Sequence, residues 1–506
     1  MSGQSVLPNI ALPRPVSFWT FFPRAIVDSK MIERPLEYAS LKAVLLHMDA
    51  NVRFQVSNRM PSIRNVEKGI PLRISHLKLS NFSTSVNGTH YNLGVYQDHL
   101  HWYIPEPVNR RDNEGCQMDF DEFGFRIFSG KGIILPGDVS FCQIADNQEN
   151  EDDDDQDGDG GGGNVYQAPT SSERYYREDL RFSEKAQEIV KDLKTKGISV
   201  RDYLQSLTKL EYYNANKEEW EIREKLKSID ILDHNTAFNR VILVSYECRR
   251  NKTKPPFVYH IQLTIKNGEK KKIQKFEYNK KLFEATKELN QILFGGRVIP
   301  IHVGHLELGD HDGIYRLPTG FRLRAHKVDA DAYTVTHRSF PRLVENSENL
   351  GSLRLSWMFA RNMKLADFQN QIVQKSERLE VCSWSDQEMH LLIQVFKELP
   401  NLEISIKPRS LNYPSAHYFE LIQAWLTKER EIGSSCWIKM GEEEIAREVL
   451  KLAETQNEGT KQSERSITFD INGSKKCEVS YDPYDKNETY YQRDCKCILK
   501  MRIVNA

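Results

Sequence analysis

The sequence predicts an α+β protein with a small N-terminal helical and β module, a disordered acidic linker, and a C-terminal region of β-hairpins plus irregular leucine-rich-repeat-like strand–helix units. Three observations carry that expectation. Helical spacing followed by a hairpin signal fills residues 34–107. A run of acids and glycines then interrupts the pattern, with nine Asp or Glu between Asp146 and Asp159 and Gly160 to Gly163 directly after. Strand and helix patterns alternate through most of the remaining chain.

Each segment has its own reason. Residues 1–33 read as a tail, because Pro8, Pro13, Pro15 and Pro23 deny it a regular element. Within 34–107, Tyr38, Leu41, Leu45 and Met48 recur at helical spacing, and Asp49 can cap a second helix. Gly69 and Pro71 end a third helix. Asn87-Gly88 marks a hairpin, with Leu72, Ile74 and Leu79 near it. Residues 108–180 read as the linker, since an acid- and glycine-rich stretch buries too little apolar surface to offset its ordering entropy.

Residues 181–235 return to helix, with Ile189, Val190, Leu193, Tyr203, Leu204 and Leu207 among alternating Lys and Glu. In 236–330, VILVSYE (241–247) and FVYHIQLTI (257–265) read as strands, and Asn267-Gly268 turns the second into KKIQKFEY. A helix follows over 280–294, then strands near 298–308 and 321–328. In 331–506, strands at 352–357, 379–384, 402–406 and 436–440 alternate with amphipathic helices. Their irregular spacing suggests units that bury their faces on their neighbours. A last hairpin (467–481) and a strand (496–504) close the chain.

Composition narrows the function. At 506 residues, about three domains are expected. Lys plus Arg is 70 against 71 acids, so the chain is neither a basic nucleic-acid coat nor an acidic tail protein. No stretch approaches the ~18 apolar residues of a membrane helix. VSFWTFF near the N-terminus lacks the flanks of a signal peptide. Eight cysteines without a framework spacing point to reduced thiols and a cytoplasmic or nuclear compartment.

No signature of a catalytic elbow, a phosphate loop or a zinc-protease helix is present, so the expectation is a non-enzyme with no cofactor and no metal. His302, His305, His311 and Asp312 form the densest metal-like cluster, but an odd offset should send His302 and His305 to opposite faces of a strand. Cys477, Cys495 and Cys497 could converge, without a CxxC knuckle. The strongest charge feature is residues 249–281, with eleven Lys or Arg against two acids. Arg249, Arg250, Lys252, Lys254, Lys270, Lys271 and Lys272 interleave there with Phe257, Tyr259, Phe276 and Tyr278. That pattern fits nucleic-acid binding, protection of a hairpin edge, or a protein-partner surface.

The run PLEYASLKAVLLHMDANVRFQVSNRMPSIRNVEKGIPLRISHLKL, with NGTHYNLGVY after it and YNKKLFEATKELNQILFGGRVIPIHVGHLEL later, resembles a nematode-expanded family of unknown function. The same opening is similar to an F-box in length and pattern. It departs in reading Pro35-Leu36 and in lacking a Trp in the third helix. The resemblance implies a substrate-recognition adaptor of a ubiquitin ligase, with a Skp-type partner on the first helices. The alternative is a helical cap packed on the following sheet. Leu41, Val44, Leu45 and Met48 are the partner-binding candidates. Protein recognition is the expected function, with nucleic-acid binding through 249–281 or an uncharacterised structural role as the alternatives, and with no membrane partner.

Overall fold

The computed structural model describes residues 37–98, 115–127, 130, 132–141, 171–206, 217–227, 229–309, 313–356, 364–383, 387–408, 413–456, 460–483 and 495–506. It is a mixed α/β chain that divides into two compact units. One gathers Met1–Phe21, Tyr91–Ile133 and Ala145–Thr286; the other gathers Phe22–His90, Ile134–Ile144 and Lys287–Ala506.

The second unit opens with α1 (Tyr38–His47), α2 (Ala50–Arg59) and α3 (Arg64–Lys68). Asp49 accepts from the Asn51 amide and so caps α2, as its position predicts. Arg53 of α2 is almost wholly buried. Its guanidinium donates to Glu67 and to the carbonyls of Glu67, Ile70 and Pro71. Arg297 donates to the same Glu67 carboxylate at 2.6 Å. Lys68 reaches the carbonyls of Ile292 and Leu293 at the end of helix α8 (Leu282–Phe294). A cation there satisfies carbonyls that the helix end leaves open.

Strand β1 (Arg73–Leu79) pairs antiparallel with β2 (Ser83–Val86) and parallel with β9 (Ile301–Leu308). That parallel pairing draws the N-terminal module and the C-terminal strands into one unit. The sequence, read segment by segment, expects them as separate domains; a pairing across more than two hundred residues leaves no local signal. The sheet continues through β11 (Leu323–Asp331), β12 (Ser352–Ser356), β13 (Arg378–Ser383), β14 (Glu403–Pro408) and β15 (Ser435–Met440), each parallel to the last. Antiparallel strands β19 (Cys497–Asn505), β18 (Lys475–Pro483), β17 (Ser466–Asp470) and β16 (Thr460–Ser463) finish it.

From β9 to β15 the parallel order advances in one direction only. Right-handed crossovers then place the connecting helices on a single face. These include α13 (Gln387–Phe396) and α14 (Ser415–Leu426), with α15 (Glu443–Gln456) following β15. Burial agrees: Leu353, Leu355, Leu379, Val381, Ile404 and Ile406 are buried, and the residues between them are not.

In the first unit, β3 (Thr89–Asp98) is followed by the order β3-β7-β8, with β7 (Val258–Asn267) and β8 (Lys270–Glu277) forming the expected hairpin. Helices α4 (Ser171–Thr195), α5 (Val200–Ser206), α6 (Lys217–Lys227) and α7 (Ile229–Asn251) complete it. Ala186 and Leu226 form a small core there, with Ile189, Val190, Tyr203 and Leu204 against it.

Two expectations are corrected. VILVSYE at 241–247 is not a strand; it lies inside α7, where Leu243, Ser245 and Cys248 are buried. A short apolar run does not by itself distinguish a strand from a buried helix. The stretch 108–180 is not linker throughout. It holds β4 (Asp119–Phe120), β5 (Arg126–Ile127) and β6 (Val139–Ser140), and α4 starts at Ser171. The side chains of Asp119 and Asp138 explain why. Asp119, fully buried, accepts from the Leu282 amide and the Tyr278 hydroxyl, capping α8 from a distance. Asp138, its carboxylate likewise out of solvent, pairs with Lys287 and Arg316 within the second unit. Residues 142–170, which include the acidic run, lie outside the described residues.

Candidate functional site

The face of the parallel sheet opposite the crossover helices carries ordered rows of polar side chains, part-exposed among the described residues. Parallel register sets them side by side, about 4.8 Å per strand. One row runs Lys78, Glu307, Asp329, Arg354, Glu380 and Ser405 across six strands. It continues into Trp437 of β15 and Lys500 of β19.

It carries charges of both signs, with Glu307 and Asp329 as adjacent acids between Lys78 and Arg354, and cations offset acids along it. Lys78 contacts Glu307, and Arg354 bridges Asp329 (3.0 Å) and Glu380 (2.8 Å). Lys407 reaches Glu380 at 2.8 Å, and Arg378 reaches Glu403 at 2.9 Å. Burial raises the Asp329 carboxyl above its ordinary range; Arg354 pulls against it while Glu307 and Glu380 push with it. Burial also acts to raise Glu307, but the bond to Lys78 and the nearby cations hold it low.

At one end of this face lies a cavity of about 400 Å³ whose lining includes Arg378, Glu380, Glu403, Lys407, Trp437 and Lys500. Trp437 is 43% exposed there, between Cys436 and Ile438, which are fully buried. The strand CWIKM therefore turns its one aromatic outward. Its alternation carried that signal; the sequence reading identified the strand and did not single out Trp437.

At the other end, His76, His305 and Lys327 are lateral neighbours. The rings of His76 and His305 lie 4.9 Å apart. Burial, then Lys327 and His76, push the His305 imidazole down to about 4, so it is neutral near pH 7. The expectation that His302 and His305 take opposite faces fails. Buried positions step from Ile74 to Leu77, from Val303 to Leu306 and from Ala325 to Val328, by three instead of two. That shared slip leaves both histidines among the less buried positions. His311 and Asp312 lie outside the described residues.

The remaining predicted residues fall in several separate places. Of the α1 stripe, Leu45 is buried, Leu41 and Met48 are half-buried, and Val44 is 45% exposed. Tyr38 and Leu46 are exposed beside them. The basic segment 249–281 is not one patch. Arg249 pairs with Asp121 and lies over the Phe125 ring, and Arg250 pairs with Glu173. Lys252 lies over Phe123, and Lys254 is exposed. Lys270, Lys271 and Lys272 open β8 at the hairpin turn, a strand length of roughly 30 Å from the start of β7. Phe257 and Phe276 are buried rather than presented.

Cys477 pairs with Ile503, whereas Cys497 pairs with Pro483, six residues away along β19. The late thiols therefore do not converge. Burial pushes Cys477 and Cys497 up to about 12 and raises Cys495 as well. Among the described residues no group of three or more His, Cys, Asp or Glu could hold a metal ion, and no helix is long and apolar enough to cross a membrane.

Residues 281–442 match a family model described as a domain of unknown function (DUF3557). That span runs from the start of α8 through β15 and so contains the parallel strands β9 to β15 and Trp437. No curated protein matches the chain, and no solved structure matches it.

Proposed function

We propose that this chain is a non-enzymatic recognition protein whose sheet face opposite the crossover helices holds a protein partner. The single observation behind the reading is Trp437: an exposed tryptophan in a cavity, ringed by charged side chains of both signs. Aromatic anchors inside a polar rim are where protein interfaces concentrate their binding energy. Mutually paired charges of both signs favour a protein partner over a nucleic acid, which calls for an uncompensated cationic track. Two further features favour binding over catalysis. The row's acids and bases are tied to one another, and burial keeps the late thiols protonated.

The test is affinity purification with the full chain and with Trp437→Ala. Loss of a reproducible partner from the variant, at unchanged thermal stability, is the expected result. Equal recovery by both chains removes the proposal.

A finer form of the reading makes the chain an F-box-like adaptor, with α1 presenting Tyr38, Val44 and Leu46 to a Skp-type protein. The exposure of those three side chains favours it. Its own test is recovery of a Skp-type protein that Val44→Glu abolishes; a folded chain that never recovers one rules the adaptor role out. Nucleic-acid binding through 249–281 has less support, because the ion pairs of Arg249 and Arg250 occupy the basic side chains at one end of that segment. The strand–helix units of 331–506 read, on this proposal, as an irregular repeat-like scaffold for the recognition face.

A further inference from the structure

One lateral row on the same sheet departs from the neutral pattern. Arg73 of β1, His302 of β9 and Arg324 of β11 are directly paired neighbours, spanning about 10 Å with no acid among them. Like charges set opposite each other on a sheet are destabilising. The row through Lys78 and Arg354 shows the usual remedy, an intervening carboxylate. Here the carboxylate that reaches the row is Glu345, which Arg322 and Arg324 share. Among the described residues Arg73 has no ion-pair partner.

The three side chains line a cavity of about 870 Å³ with His326 and Asn349. Several of its other polar groups are already bonded. Asp49 accepts from Asn51 and Asn87, and the Asn346 amide is bonded to both backbone groups of Ala325. Gly304 in the lining lets β9 pass close to β1: a Cβ there would sit 2.8 Å from the Ser75 carbonyl.

We propose that this cavity binds a phosphate monoester, with Arg73 and Arg324 taking its oxygens from either side of His302. Two guanidinium forks with an imidazole between them match a tetrahedral dianion, which supplies the counter-charge that Arg73 lacks. Asp49 at the wall limits how far the anion can move toward the helices. The inference goes beyond the protein-recognition reading and does not depend on Trp437, which lies six strands from Arg73, roughly 29 Å.

Calorimetric titration of the full chain with inorganic phosphate at fixed ionic strength tests it. A saturable site with one equivalent is expected, weakened at least tenfold by Arg73→Gln. Arg73 is exposed and unpaired, so that variant should unfold at the wild-type temperature; Lys397→Gln, in a different cavity, should leave binding unchanged. Two ester probes identify the source. Tighter binding of a phosphoserine peptide assigns a phosphorylated protein, and tighter binding of ribose 5-phosphate assigns a free metabolite. Phosphate uptake that does not saturate, or that Arg73→Gln leaves intact, or failure of both esters to bind, overturns the proposal.

Discussion

Lys68 shows how one side chain carries the cost of its position. It donates to the end of α8 but sits beside Arg53, Arg64 and Arg297, with Glu67 as the counter-charge among the described residues. Burial first, then Arg297, lower it from 10.5 to about 7. The sign follows from proton counts. Between about pH 7 and 10.5 the unfolded chain holds a proton that the folded one has released, so stability rises with pH across that window. Urea unfolding of the wild type should show that rise, and Lys68→Met should flatten it; parallel pH curves for the two chains would contradict the assignment. Sequence reading had no access to this cluster. Arg53 stood in a recognised helix, but its burial depends on Glu67 and Arg297 arriving from two other segments.

Helix α8 depends on remote residues at two points. Its N-terminal amide at Leu282 is capped by Asp119, and Lys287 within it pairs with Asp138. Each acid comes from a stretch that composition assigned to a linker. Removing one partner of a buried pair leaves the others unpaired and typically costs about 3–5 kcal/mol. Asp138→Ala, which removes the carboxylate that Lys287 and Arg316 share, should therefore lower the unfolding midpoint sharply, while Asp157→Ala, inside the acidic run, should leave it unchanged. Equal midpoints for all three chains would show that Asp138 does not hold the element. The hairpin of β7 and β8 makes the opposite case. Asn267-Gly268 and the flanking alternation specified it locally, and the strands pair in that register.

At the scale of the molecule, strand order decides which surfaces reach solvent. A one-directional parallel order sends the crossover helices to one face, and the side-chain rows on the opposite face become the proposed recognition surface. In the first unit the strand order ends at β8, which places its lysines on an edge strand, where such side chains oppose edge-to-edge pairing. Replacing Lys270 and Lys272 with Thr should increase self-association, measured by light scattering at micromolar protein. If scattering stays at the wild-type level, edge protection is not what those lysines do. Replacing Lys270, Lys271 and Lys272 with Glu separates the remaining idea, since a nucleic-acid site would then lose a salt-dependent affinity.

Local chemistry in the sequence determined most elements by itself. Turn signals at Asn87-Gly88 and Asn267-Gly268, the Asp49 cap, and alternating apolar positions in the late strands act within a few residues and survive reading in one dimension. The tertiary structure alone decided that β1 lies against β9, that Asp119 and Asp138 are buried anchors, and that Trp437 and the Arg73–His302–Arg324 row are exposed positions of one sheet. Those facts depend on which distant segments become neighbours, and pairing energy between them is realised only after the chain has closed the loops that separate them.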